Sequence, residues 1–183
     1  MSGATLSLSV YGFLRVLLFL LPGVPAWFVF SVLVLGLSSA VVAVLLTVVG
    51  RDLKRILAQD STQVLGMIFT MIAIGLLASR EGSPSLAQAA IYAALLLTLA
   101  HGLLKTGLFL AAGVITNSLG SRRLEAMGGL ARRMPRLSVF VFALIFAAAF
   151  LPPLAPFVAE WIFIQALIGA LASASLTLKI VLT

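Results

Sequence analysis

Long apolar runs, cut apart by short charged or proline-rich stretches at 22–25, 51–60, 80–84 and 117–136 and by a weakly polar Ala-Ser stretch around 172–175, leave this chain few ways to fold. A bilayer span needs about 20 mostly apolar residues, and its backbone polar groups must be satisfied within the protein. The runs meet that length, which predicts helices over 1–21, 26–49, 61–79, 86–116 and 138–172, with another beginning near Leu176. The expected fold class is an all-α polytopic membrane bundle, with about five spans plus a truncated sixth. It forms a single transmembrane domain over 1–183. The first run begins without a leader and the last is too short to span before Thr183, so both ends are expected to continue into something longer.

Composition agrees: 62% of the residues are hydrophobic and 9% charged, and the mean hydropathy of +1.24 lies outside the range of ordinary soluble domains. A net charge of +7 would suggest nucleic acid in a soluble chain. Here the basic residues fall between apolar runs, so membrane topology explains them and no nucleic-acid partner is expected. Arg51, Lys54, Arg55, Arg122, Arg123, Arg132, Arg133 and Arg136 gather on one side, with Arg80 as the counterpart on the other. The positive-inside tendency then makes the 51–60 and 117–137 loops cytoplasmic, in a multi-pass protein of the inner (cytoplasmic) membrane. Stretch 121–136, with Gly128-Gly129 and Met134-Pro135, reads as a solvated basic linker or a short interfacial helix.

The chain has no cysteine and one histidine. Thiolate-held iron–sulfur clusters and bis-histidine haem are therefore excluded, and no cofactor is expected; any redox centre must sit in partner subunits. Residues 1–21 lack a basic leader and place Arg15 inside the apolar run, unlike a cleaved signal peptide.

Two features single out candidate chemistry. His101 and Lys105, four residues apart and so on one helix face, sit deep in the run 86–116. Ionisable groups at that depth are costly and mark ion or proton paths. Two bases so placed cannot both carry charge cheaply, which suits them to exchanging a proton. The plainer alternative is a histidine bonded in a helix contact and a lysine snorkelling to the cytoplasmic end. The second feature is the run 138–172, too long for one straight span and interrupted by Pro152, Pro153 and Pro156. Proline removes a donor and frees a carbonyl, which predicts a discontinuous helix broken at 151–156, from Leu151 to Pro156. Glu160, about one turn beyond, is read as the only acid within an apolar span; it either serves an ion path at the break or pairs structurally with Lys105 or another base.

Lys54, with Asp52, stands at the cytoplasmic edge of the third helix, where a topology charge is the default reading. Arg15 either snorkels or pairs with an acid elsewhere. Gly36 and Ala40 have the small-xxx-small spacing that lets helices approach closely. No phosphate loop, metal-ligand cluster or hydrolase triad is present.

Four motifs follow in order: Arg51-Asp-Leu-Lys-Arg-Ile-Leu-Ala58, Ala100-His-Gly-Leu-Leu-Lys-Thr-Gly-Leu-Phe-Leu-Ala-Ala-Gly113, Met127-Gly-Gly-Leu-Ala-Arg-Arg-Met-Pro135, and Leu151-Pro-Pro-Leu-Ala-Pro-Phe-Val-Ala-Glu-Trp161. Together they resemble the antiporter-like membrane subunits of respiratory complex I, Mrp sodium/proton antiporters and membrane-bound hydrogenases. The run Glu160-Trp-Ile-Phe-Ile-Gln-Ala-Leu167 looks most like the hydrogenase-4 and formate hydrogenlyase type. The full family subunit has about fourteen helices in two inverted repeats of about five, and the resemblance places this chain on roughly the eighth to the start of the thirteenth. It implies a proton-translocation role for His101, Lys105, Glu160, Lys54 and Asp52. Three departures stand out: Ser7 where a lysine is usual, Leu97 where some members carry a second histidine, and Gln59-Asp60 in place of tyrosine-serine.

The resemblance implies a proton-translocating subunit, or fragment of one, in a redox-driven complex of the hydrogenase-4/formate hydrogenlyase or NADH:quinone oxidoreductase type. Its partners are then other membrane subunits of a respiratory or hydrogenase complex, the lipid bilayer and protons. The alternatives are a sodium/proton antiporter subunit of Mrp type and a non-conducting structural subunit, the latter suggested by Ser7.

Overall fold

The computed structural model describes residues 3–20 and 23–181, with backbone alone at 170 and 173–181. Among the described residues the chain is a bundle of α-helices: α1 (Ala4–Arg15), continued by a wider π-helical turn at Val16–Leu20, α2 (Ala26–Val48), α3 (Leu53–Arg80), α4 (Pro84–Leu119), the one-turn α5 (Leu130–Arg133), α6 (Pro135–Ala148) and α7 (Ala155–Val181). Helices α2, α3 and α4 are long and apolar enough to cross a membrane. At about 1.5 Å per residue α4 runs about 54 Å, so it stands well clear of a hydrocarbon core about 30 Å thick. The expected polytopic helical bundle is the observed one. The outer ends of the expected helix 1–21, residues 1, 2 and 21, lie outside the described residues.

Two boundaries differ from expectation. Helix α3 begins at Leu53 rather than 61, because the Asp52 carboxylate accepts the backbone N–H of Arg55 at 3.0 Å and caps the helix there. Charge density in 51–60 suggests a loop; residues 53–60 are instead the first two turns of the helix. The division expected around 172–175 is absent, since α7 runs unbroken to Val181. An Ala-Ser stretch is weakly apolar but contains no proline or glycine to interrupt the hydrogen-bond ladder. Residues 182 and 183 lie outside the described residues.

The proline break occurs where expected. Helix α6 ends at Ala148 and α7 starts at Ala155. Between them Phe150 adopts φ 55°, a left-handed conformation that side chains rarely take.

Helices α3 and α4 form the middle of the bundle, with α2 packed on α3, and α1, α6 and α7 packed on α4. Ile68, Met71 and Ile72 of α3 interlock with Ala93, Ala94 and Leu97 of α4, and Val10 and Leu14 of α1 close the cluster. The small-residue spacing on α2 becomes a tight crossing. A Cβ added at Gly66 would fall 2.5 Å from the Gly36 carbonyl oxygen and 2.9 Å from the Ala40 Cβ, so only glycine fits.

The two basic stretches meet at one end of the bundle. Leu53 N–H donates to the Arg122 carbonyl and Leu124 N–H to the Arg51 carbonyl, both at 3.0 Å. Glu125 forms ion pairs with Arg51 and Arg123 at 3.6 and 3.2 Å. Residues 121–134 combine a 3-10 turn (Leu124–Ala126) with exposed α5, so this stretch is a surface linker carrying a short helix.

Candidate functional site

Lys105 lies about 21 Å along α4 from Leu119, well inside the bundle, and is 1% exposed. Its ammonium donates to the Leu57 carbonyl oxygen at 2.9 Å and forms an ion pair with the Asp60 carboxylate. Both acceptors belong to α3 and lie one turn apart. A buried ammonium is tolerable only with a counter-charge and matched donors, and α3 supplies both.

His101, one turn before Lys105 on the same face, is also buried. Its Nε2 has no hydrogen-bond partner among the described residues. His101, Lys105 and Asp60 line one small cavity, closed by Val64, Leu97, Leu104, Ala148, Phe150 and Pro156. Its free space of about 10 Å³ is room for about one water molecule. The residues of the helix break therefore form one wall of the chamber that holds the two bases.

The structure separates the remaining candidates from this chamber. Glu160 is half-buried on α7, one turn beyond Pro156, and does not line the cavity. Of the two roles open to Glu160, pairing with Lys105 is not the arrangement found: Lys105 pairs with Asp60, the carboxylate that α3 supplies. Asp52 is occupied as the α3 cap, and Lys54 lies on the first turn of that helix. Both stand about 10 Å along α3 from Asp60, at the surface end. Arg15 donates to the Tyr11 hydroxyl at 2.8 Å, an exposed local contact. The Ser7 hydroxyl donates to the Thr98 carbonyl oxygen of α4 at 3.1 Å.

Sequence alone does not single out Asp60, because the charge density of 51–60 reads as a loop and leaves Glu160 as the only acid in a span. A signal was available. With the helix begun at the Asp52 cap, Asp60 falls three residues after buried Leu57 and four before buried Val64, beside the inward face.

Fold and site together define a class: a polytopic helical membrane protein holding a buried ion pair and an unpartnered histidine beside a broken helix. The chain belongs to the NADH:quinone oxidoreductase/Mrp antiporter transmembrane family, which it matches over residues 1–183. It is 39% identical over 170 residues to an uncharacterized protein of Mycobacterium tuberculosis, covering 93% of this chain and 27% of that protein. It is 33% identical to hydrogenase-4 component B of Escherichia coli, covering 88% of this chain and 24% of that protein. Against NADH-quinone oxidoreductase subunit M of Rickettsia typhi it is 30% identical, covering 88% and 31%. The chain thus spans about a quarter to a third of the length of these relatives.

Proposed function

We propose that this chain carries protons through the bilayer as part of a redox-driven membrane complex of the hydrogenase-4 or NADH:quinone oxidoreductase kind, in the cytoplasmic membrane. One observation carries the reading: a lysine buried in a membrane-length helix, held by a single carboxylate, with an unpartnered histidine nitrogen one turn away in the same chamber. Intramembrane ionisable residues of this kind mark ion and proton paths. Lys105 and His101 hold and relay the proton. Glu160, past the break, passes it onward, and Lys54 with Asp52 serves the cytoplasmic intake. The names of the relatives support the setting, since hydrogenase-4 component B and NADH-quinone oxidoreductase subunit M are components of larger assemblies. The redox centres belong to partner subunits, because this chain has no cysteine and a single histidine.

In vesicles carrying the assembled complex, Lys105→Ala and Glu160→Gln retain electron transfer and lose proton pumping. Undiminished pumping in both overturns the assignment. The family also includes Mrp antiporters, which gives a second reading: sodium/proton exchange without redox coupling. Sodium-dependent proton movement in vesicles lacking an electron donor decides for that reading.

A further inference from the structure

Resting on the relay reading above, we infer that Asp60 is the gate of the relay: a proton reaching its carboxylate discharges the Asp60–Lys105 pair and sends the lysine's proton to His101. The three groups differ in access. The Asp60 side chain is 23% exposed and that of Lys105 is 2% exposed, and His101 is buried, so Asp60 is the most open of the three. It also sits on α3, whose capped end meets the basic surface at Arg122 and Arg123. One turn of α3, from Leu57 to Asp60, supplies both partners of the Lys105 ammonium.

Protonation removes the counter-charge, leaving an ammonium buried in apolar surroundings with the Leu57 carbonyl as its remaining partner. An uncompensated charge in such a place is strongly unfavourable. The one acceptor without a hydrogen-bond partner in the chamber is His101 Nε2, reached directly or through the single water the cavity can hold. The protons balance. Carboxylate, ammonium and neutral imidazole plus one incoming proton become carboxylic acid, amine and imidazolium. The acid then returns its proton to the amine, restoring the pair. The net result is one proton moved from the Asp60 side to His101, with the ion pair reset.

No competing group intervenes among the described residues. Helix α2 contributes no titratable residue, and α4 offers Tyr92, His101 and Lys105, of which Tyr92 does not line the chamber. Tyr11 and Arg15 of α1, Arg136 of α6 and Glu160 of α7 do not line the chamber, and neither do Asp52, Lys54 and Arg55 of α3. A merely structural counter-ion leaves the position of the unpartnered histidine nitrogen unexplained.

The test uses the full assembly containing the chain, reconstituted in vesicles. Asp60→Glu, which keeps a titratable group, transports protons with a displaced pH profile. Asp60→Asn, which cannot discharge, loses transport by about a hundredfold, the scale of a removed proton-transfer group. If Asp60→Asn transports within twofold of wild type while Lys105→Ala is inactive, the gate is refuted and the relay stands; if Lys105→Ala also transports normally, the relay itself fails. Should Asp60→Asn not assemble, carbodiimide labelling of the wild-type assembly decides, since the reagent modifies protonated carboxyls. The expected result is a label on Asp60, located by mass spectrometry, that forms faster at acidic pH on the basic-loop side and abolishes transport in proportion. An unlabelled Asp60, or transport surviving complete labelling, overturns the proposal.

Discussion

Lys105 takes its place from two oxygens of α3, a carboxylate and a main-chain carbonyl, and the rest of its chamber is lined by His101 and apolar side chains. Removing the lysine and removing the aspartate are therefore not equivalent changes. Lys105→Met leaves a carboxylate that is partly exposed, whereas Asp60→Leu strands a buried ammonium; breaking a buried pair from one side costs about 3–5 kcal/mol. The expected order of melting temperature in detergent is wild type, then Lys105→Met, then Asp60→Leu. His101 behaves differently because its Nε2 has no hydrogen-bond partner among the described residues. An unsatisfied buried polar atom costs about 1–3 kcal/mol, so His101→Leu is expected to raise thermal stability while abolishing proton uptake; a lower melting temperature would reveal a structural bond at that nitrogen. His101 and Lys105 were legible in the sequence because polarity inside a long apolar run stands out against lipid. Asp60 was not, since its meaning depends on where α3 begins, and that is set by a single side-chain hydrogen bond at Asp52.

Helix boundaries show the same division between what pattern reveals and what geometry adds. The break between α6 and α7 was readable from three prolines, because a missing N–H acts on the backbone wherever it occurs. The division expected near 172–175 was drawn from polarity alone, and polarity does not interrupt a hydrogen-bond ladder. Replacing Pro152 and Pro153 together with alanine is expected to extend α7 back toward α6 and remove Phe150 from the chamber wall. Helical content measured by circular dichroism then rises and proton transport falls at least about tenfold, as for a displaced relay group. The crossing of α2 and α3 is governed by the backbone contact at Gly36 and Gly66. Gly66→Leu drives a side chain into the Gly36 carbonyl and is expected to destabilise the bundle by about 3 kcal/mol, at the upper end for overpacking. Reversible unfolding in detergent measures it.

Across the molecule, charge is concentrated at one end. The foot of α3 and the linker after α4 carry arginines that share Glu125 and pair through their backbones, while Arg80 and Glu81 mark the opposite turn. Sidedness follows from that asymmetry. A cysteine introduced at exposed Arg132 is expected to react with a membrane-impermeant maleimide from the cytoplasmic side alone; reaction from the outside inverts the topology and with it the direction of the relay. The flank formed by α1 and α4 holds a groove of about 490 Å³, lined by Leu8, Tyr11, Leu95, Leu99 and Leu103 among others. The sequence foretold long apolar helices but not which flank stays open, because that depends on how tightly Gly3 and Gly102 draw α1 onto α4.

The paired hydrogen bonds between Arg51–Leu53 and Arg122–Leu124 have a mechanical meaning. They rivet the strand leaving α4 to the base of α3, so the chain entering α6 starts from an anchored footing and not from a slack tether. The segment leading toward the broken helix and the base of the gate-bearing helix thus share one fastening, about two turns below the carboxylate that pairs with Lys105.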